Sequence, residues 1–365
     1  MKLYLIAGEA SGDLHGSNLM RELRNLNADI EFRCWGGDLM KAQGGVIVKH
    51  YHELAFMGFV EVLMNLRTVL NNLAICKRDI LSYKPDAVIL VDYPGFNLKI
   101  ARFLHQNKIP VIYYISPQIW AWKQSRVKII RKVVDKMMVI LPFEKDFYAK
   151  HGVEVEFHGH PLLDALKLSQ FKSVIEDDGR PVVALLPGSR RQEILKVLPQ
   201  MIAVVPLFPD VRFVIAGVDS HGPDFYHHIS GNADIPIVFG RTYDLLKQAK
   251  AALVTSGTAT LEAALIGTPE VVCYRGGNIS YQIARRIIKV KYISLVNLIM
   301  DRPVVKELIQ DELNLENLRR ELTLLINDTP AHEKLRADYA ELRAKLGGDG
   351  ASRRAAASVM EFVKI

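Results

Sequence analysis

Cysteine is scarce in this sequence: Cys34, Cys76 and Cys273 are the 3 among 365 residues, far apart and without a Cys-x-x-Cys pair. That argues against a disulfide scaffold and a zinc ribbon, and it fits a reducing cytosol. No run approaches the ~18 uncharged apolar residues of a membrane span. The first apolar run, Leu3–Ala7, ends at Gly8 and Glu9. It is too short for a secretory core, so neither cleavage nor export is expected. The dinucleotide fingerprint Gly-x-Gly-x-x-Gly is missing, as is the P-loop pattern Gly-x-x-x-x-Gly-Lys-Ser/Thr. An Asp-x-Asp pair, which metal-dependent sugar-nucleotide transferases often present, does not occur either. His158-Gly159-His160 has no further ligand cluster beside it, and no metal is expected.

What remains is an ordinary globular composition, 49% hydrophobic and 24% charged, which excludes wholesale disorder. At ~150 residues per domain, the length calls for about two domains. The formal charge of +7 and a pI of about 9.1 suit anionic partners: phosphate-bearing substrates, nucleic acid or an anionic membrane surface.

Short apolar runs alternate with longer amphipathic ones. Leu3–Ala7, Asp86–Val91, Val111–Ile115 and Met137–Leu141 read as buried strands, too short for core helices and bounded by Gly, Pro or charge. Leu63, Leu66, Leu70, Leu73, Lys77 and Ile80 trace one helix, and Ile100, Phe103 and Leu104 another. This rhythm predicts a parallel sheet covered on both faces. It fades after His160-Pro161 and restarts with Val182–Leu186, Arg212–Ala216, Ile235–Phe239, Ala251–Val254 and Glu270–Cys273. From Pro303 onward no strand is expected. Residues 315–364 read as consecutive helices broken near Thr329-Pro330 and Gly347-Gly348. The expected division is a first α/β domain over 1–165, a linker over 166–180, a second α/β domain over 181–330, and C-terminal helices over 331–365.

Doubly wound sheets bind ligands just past the C-terminal ends of their strands, and the candidate motifs follow strands. The first strand runs into Gly8-Glu9-Ala10-Ser11-Gly12-Asp13-Leu14-His15-Gly16, which carries Glu9, Ser11, Asp13 and His15 together. The bland alternative is a plain strand–helix turn capped by Ser11 or Asp13. Val88–Val91 delivers Asp92, which can act as a general base if it is held near a substrate hydroxyl, or can serve as a turn former ahead of Pro94. Leu186-Pro187-Gly188-Ser189-Arg190 reads as an anion site at a helix N-terminus, with Arg190 as an added donor. Ser256-Gly257-Thr258 opens another helix, and Glu262 lies one to two turns in, where it could accept from ribose hydroxyls. The apolar stretch 54–64, with Phe56, Met57 and Phe59, and Ile119-Trp120-Ala121-Trp122 before Lys123, Arg126, Lys128, Arg131 and Lys132, suit an anionic membrane interface. They equally suit single-stranded nucleic acid or a core helix with a basic outer face.

Taken in order, the motifs resemble those of the lipid-A-disaccharide synthases, inverting glycosyltransferases of the two-domain GT-B class. They are Ala7–Asp13, Met57–Leu63, Asp92-Tyr93-Pro94-Gly95-Phe96-Asn97, Tyr114–Trp122, Leu141–Lys145, Leu186–Arg190, Ser256–Glu262 and Tyr292–Asn297, spread over residues 3 to 310. Two positions depart from the family pattern. Gly95 stands where a second Asp is common, and Val296 where Pro is common.

The resemblance implies two Rossmann-like domains facing a crevice, with nucleotide on the second. UDP-2,3-diacylglucosamine would donate its sugar to 2,3-diacylglucosamine 1-phosphate, giving the β-1,6-linked disaccharide 1-phosphate and UDP. The same resemblance implies no metal or other cofactor, no nucleic acid, and action at the inner face of the cytoplasmic membrane. Asp92 becomes the expected base, with Glu9 and His15 as alternatives. Gly188, Ser189, Arg190, Ser256, Gly257, Thr258, Glu262 and Asn297 become the expected nucleotide site. The apolar positions Leu335, Tyr339, Leu342, Leu346, Val359, Phe362 and Val363 fold back on the first domain or pack on a partner chain, and the family favours a homodimer with exchanged tails. The rival readings are another GT-B enzyme using a UDP-sugar, whether an epimerase or a lipid-linked acceptor transferase, and a non-catalytic nucleic-acid-binding module.

Overall fold

The computed structural model describes residues 1–54, 66–122, 124–231, 235–277, 290–327 and 330–364. The apolar segment at 55–65 and Lys123 therefore lie outside the described residues. The chain divides into two compact units, 1–167 with 346–365, and 168–345.

In the first unit, β1 (Lys2–Ala7), β2 (Glu31–Gly36), β3 (Val46–His50), β4 (Ala87–Val91), β5 (Val111–Tyr114), β6 (Lys136–Val139) and β7 (Glu156–Phe157) form a parallel sheet in the order β3-β2-β1-β4-β5-β6-β7. The near-continuous apolar strands reflect burial on both faces. Tyr4 and Ile6 of β1 enter one core layer, while Leu3, Leu5 and Ala7 enter the other. In the second unit β8 (Val182–Leu186), β9 (Arg212–Gly217), β10 (Ile237–Phe239), β11 (Ala251–Thr255), β12 (Glu270–Tyr274) and β13 (Lys306–Ile309) are again all parallel, in the order β10-β9-β8-β11-β12-β13. Each sheet thus reverses its winding direction once, between β1 and β4 and between β8 and β11. Ligands of such sheets bind at that reversal, beyond the strand C-termini.

β13 corrects the expectation that no strand follows Pro303. It is a short edge strand in which Leu308 alone is fully buried, between the partly buried Glu307 and Ile309 and the exposed Lys306, so its four residues lack the apolar run of a central strand. β3, at an edge of the first sheet, is likewise short and without a fully buried residue: Val46 is exposed, and Ile47 and Val48 are partly buried against different core layers.

The C-terminal helices do not stay together. Pro330–Lys345 belongs to the second unit, where Arg302 bridges to Asp338 (2.8 Å) and the Tyr339 hydroxyl donates to the Thr268 carbonyl (3.4 Å). Ala351–Lys364 packs on the helix Ala10–Leu26 of the first unit. Asp164 caps it, accepting from the backbone N–H of Gly350 (2.6 Å) and of Ser352 (2.7 Å). Gly347 and Gly159, both at positive φ, let two backbones approach where a Cβ on Gly347 would lie 3.0 Å from the Gly159 Cα. Leu342, Leu346 and Val359 are buried within the chain itself. The stretch read as a linker is pinned to the second unit, since Ile175 joins its core and the Gln248 Oε1 accepts from the Val174 N–H (2.7 Å). Among the described residues, no helix is long and apolar enough to cross a membrane.

Candidate active site

At the winding reversal of the first sheet, Ala7 pairs with Val91, so the loops after β1 and β4 leave side by side. Asp92 (φ 44°) and Tyr93 (φ 47°) are both left-handed. Such conformations cost of order 1–3 kcal/mol each and persist only where the surroundings impose them. Here the Asp92 carbonyl accepts from the Tyr113 hydroxyl (2.6 Å) and the Asn97 amide (2.8 Å), and the Asp92 N–H donates to the Tyr114 carbonyl (3.2 Å). The Tyr93 ring lies over Gly8, where any Cβ would overlap it. Gly8 is therefore required for a close approach rather than for its φ.

Burial, reinforced by the charge of Glu9, pushes the Asp92 carboxyl up to about 7, against the opposing backbone hydrogen bond of Tyr93. A base is most effective when its pKa lies near the working pH, and Asp92 meets that condition. His15 does not. It is 8% exposed, its Nδ1 lacks a hydrogen-bond partner among the described residues, and burial lowers its pKa to about 4 despite the nearby charge of Asp164. Its ring stands edge-on to His160 at 6.4 Å, so it is part of the buried joint that also includes Asp164. Glu9 holds the N-cap position of Ala10–Leu26 with extended backbone. Asp13 serves the fold, accepting from the N–H groups of Gly37 (2.8 Å), Met40 (3.0 Å) and Leu39 (3.1 Å) to cap the short helix Asp38–Ala42.

In the second unit, β8 leads through Pro187 and Gly188 (φ 102°) to the helix Arg191–Ile202. Ser189 and Arg190 are exposed there, and the Glu193 carboxylate turns back over Gly188 to the backbone N–H groups of Ser189 and Arg190. An anion at this helix start therefore competes with Glu193, and the Arg190 guanidinium is the charge that favours it. β11 leads to Gly257 and the helix Thr258–Ile266, whose N-cap residue offers no side-chain cap, with Gly257 and Thr258 exposed. The Ser256 hydroxyl is engaged by the Ile293 carbonyl (2.8 Å). Glu262 accepts from the Tyr243 hydroxyl (3.1 Å), and burial raises its pKa. Asn297 is 1% exposed, and its side-chain amide is fully occupied: Nδ2 donates to the Val305 carbonyl and Glu307, while Oδ1 accepts from the N–H groups of Val304 and Val305. Asn297 thus shapes the segment before β13. Among the described residues, no group of three or more His, Cys, Asp or Glu side chains gathers as metal ligands would.

Tyr113, Asn97 and Glu144 were given no role from sequence. Tyr113 sits in an apolar strand and looks like core, and Asn97 is hidden in a helix. Glu144 offered a signal, an acidic residue directly following the apolar turn after β6. It is 1% exposed, and burial raises its pKa to about 7 against the hydrogen bonds it accepts.

The family model for lipid-A-disaccharide synthetase matches residues 3–362. The lipid-A-disaccharide synthase of Geobacter metallireducens is 39% identical over 373 residues, covering 99% of this chain and 97% of that protein. That of Acidobacterium capsulatum is 41% identical over 374 residues, covering 96% and 93%. Among solved structures, a UDP-GlcNAc 2-epimerase from Neisseria meningitidis bound to UDP-GlcNAc superposes with a TM-score of 0.69 at 14% identity, covering 99% of this chain and all of that one. A glycotransferase of kitacinnamycin gives 0.66 at 15%, covering 99% and 98%. At such identities these structures establish the shared two-domain GT-B fold alone.

Proposed function

Because the chain belongs to the lipid-A-disaccharide synthase family, we propose that it is a hexosyltransferase that condenses UDP-2,3-diacylglucosamine with 2,3-diacylglucosamine 1-phosphate, releasing UDP and the β-1,6-linked disaccharide 1-phosphate. The observation that carries this reading beyond family membership is Asp92, held left-handed at the reversal of the first sheet with a pKa of about 7. Asp92 accepts the proton of the acceptor 6-hydroxyl as that oxygen bonds to the anomeric carbon. The bond from that carbon to UDP breaks in the same in-line step, its electron pair leaves with the diphosphate, and the configuration inverts. Arg190 and the N-termini of Arg191–Ile202 and Thr258–Ile266 stabilise the departing charge. Glu262 supports the ribose. The test is turnover of the two substrates read by mass spectrometry. If no disaccharide 1-phosphate forms, the reading fails.

Arg190→Ala is expected to weaken UDP binding and slow turnover, since a lost hydrogen bond to a charged group is worth about 1.5–3 kcal/mol. UDP titration calorimetry and steady-state rates check it. In the same assay EDTA leaves the wild-type rate unchanged, because Arg190 and backbone N–H groups carry the diphosphate.

The substrates' acyl chains call for peripheral binding at the anionic inner face of the cytoplasmic membrane, and the sequence segment with Phe56, Met57 and Phe59 suits that role. Replacing all three with Ser is expected to release the protein from anionic vesicles, since each inserted side chain contributes ~1.5–3 kcal/mol. Unchanged cosedimentation with vesicles would remove these residues from the interface. A homodimer with exchanged tails would make, between copies, the contacts that Ala351–Lys364 makes with its own first unit, and the mass in detergent by light scattering decides it.

A further inference from the structure

We propose that Glu144 and Trp120 act as a positioning pair for the acceptor, the carboxylate fixing the indole as one wall of the pocket that receives the acylated sugar. This rests on the reading of Asp92 as the base for the acceptor hydroxyl.

β5 and β6 follow β4 in the sheet, so the loops that leave them lie in succession to one side of the loop that carries Asp92. β5 itself supports Asp92 through Tyr113 and Tyr114, and its chain then runs through Ser116-Pro117 to Trp120. Glu144 lies past β6. It accepts from the N–H groups of Leu141 (3.0 Å) and Ile140 (3.2 Å) and from the indole Nε1–H of Trp120 (3.2 Å). A second tie joins the same two loops, the Ser116 hydroxyl to the Tyr148 hydroxyl at 2.8 Å. The Phe143 ring meets Trp120 edge to face at 4.9 Å. The indole is thus held at its N–H and against the Phe143 ring, while it remains only half-buried.

A buried carboxylate is costly unless it is well hydrogen-bonded. Capping the turn at Ile140 and Leu141 accounts for two of its donors. It does not account for the Ser116 hydroxyl or the indole, which reach Glu144 from a different loop. A large ring whose polar atom is tied inward and whose apolar surface is left open suits an aliphatic chain or the apolar face of a sugar ring. Both are features of an acylated glucosamine.

The experiment compares Glu144→Gln, Trp120→Phe and the double variant in steady-state kinetics with donor and acceptor varied separately. Trp120→Phe keeps a ring and deletes only the N–H and the second ring, so it preserves the packing on Phe143. Loss of positioning raises the acceptor KM by about tenfold in either single variant, with the donor KM unchanged. The double variant is no worse than the worse single one, because both break one contact. Acrylamide quenching of tryptophan fluorescence increases in Glu144→Gln, with Trp120→Phe as the reference for the Trp120 signal. An active wild type whose Glu144 and Trp120 variants keep the wild-type acceptor KM, or whose effects add, overturns the pairing and leaves the proposed reaction standing. A wild type inert with both substrates overturns the reaction, and unchanged quenching in Glu144→Gln then overturns the pairing as well.

Discussion

Asp92→Asn is expected to lower turnover by about 10²–10⁴ while UDP affinity and melting temperature stay near wild type. Asn keeps the size of the side chain but cannot take the proton. The left-handed conformation is also retained, because Tyr113 and Asn97 hold the main-chain carbonyl of residue 92 rather than its side chain, and Asn tolerates positive φ. The wild-type pH profile carries a second mark of the same group. The base must be deprotonated, so kcat/KM rises with pH through about 7, the value to which burial and Glu9 push Asp92. The Asn variant loses that rise. His15, held near 4, would instead place the rise well below neutrality. Near-normal turnover in a folded Asp92→Asn protein, together with inactive Glu9 or His15 variants, moves the base to the loop after β1.

Glu270→Met is expected to stabilise the second unit, and to do so more at pH 8 than at pH 5. Glu270 opens β12, is 2% exposed, and neither carboxyl oxygen has a hydrogen-bond partner among the described residues. Burial, with Glu307 as a like charge, raises its pKa well above the usual carboxylate range. Glu307 is the satisfied member of the two, accepting from the N–H groups of Ile293 and Ser294, the Ser294 hydroxyl and the Asn297 amide. A carboxyl whose folded pKa lies above its unfolded one supports folding fully only below the unfolded value. That support is lost as pH rises towards the folded pKa. The wild type therefore bears more of this cost at pH 8 than at pH 5. Met matches the volume, and relieving an unsatisfied buried polar group is worth about 1–3 kcal/mol, an upward melting shift of the order of 5 °C. Thermal melts at both pH values check this. An equal or lower melting temperature at pH 8 would mean that the Glu270 carboxyl is paired.

Glu270 also shows why some residues were illegible. In the sequence it only begins the strand Glu270–Cys273 after Thr268-Pro269, with nothing local to set its burial. In the fold it pairs with Ala252 of β11, and Tyr339 of Pro330–Lys345 packs beside it at Thr268. Helix periodicity could not say where Pro330–Lys345 and Ala351–Lys364 would go, because an amphipathic stripe specifies that a face is covered and not by what. Their parting to different units is decided by Arg302 and Thr268 in one case and by Asp164 in the other.

The central strands, the parallel class of both sheets and the loops after β1, β4, β8 and β11 were determined by the sequence alone. A strand buried on both faces must be apolar throughout, and a turn that meets a ligand must carry Gly with polar neighbours, so both leave a local signature. Edge strands β3 and β13 are short and mostly only partly buried, and they leave almost none. The protonation behaviour of Asp92, His15 and Glu144 belongs wholly to the tertiary structure, because a pKa is set by what surrounds a group in space. Burial and neighbouring charge make the Asp92 carboxylate a base near neutrality and the His15 imidazole a neutral buried ring. Those neighbours lie anywhere from adjacent residues to more than a hundred positions away in the chain.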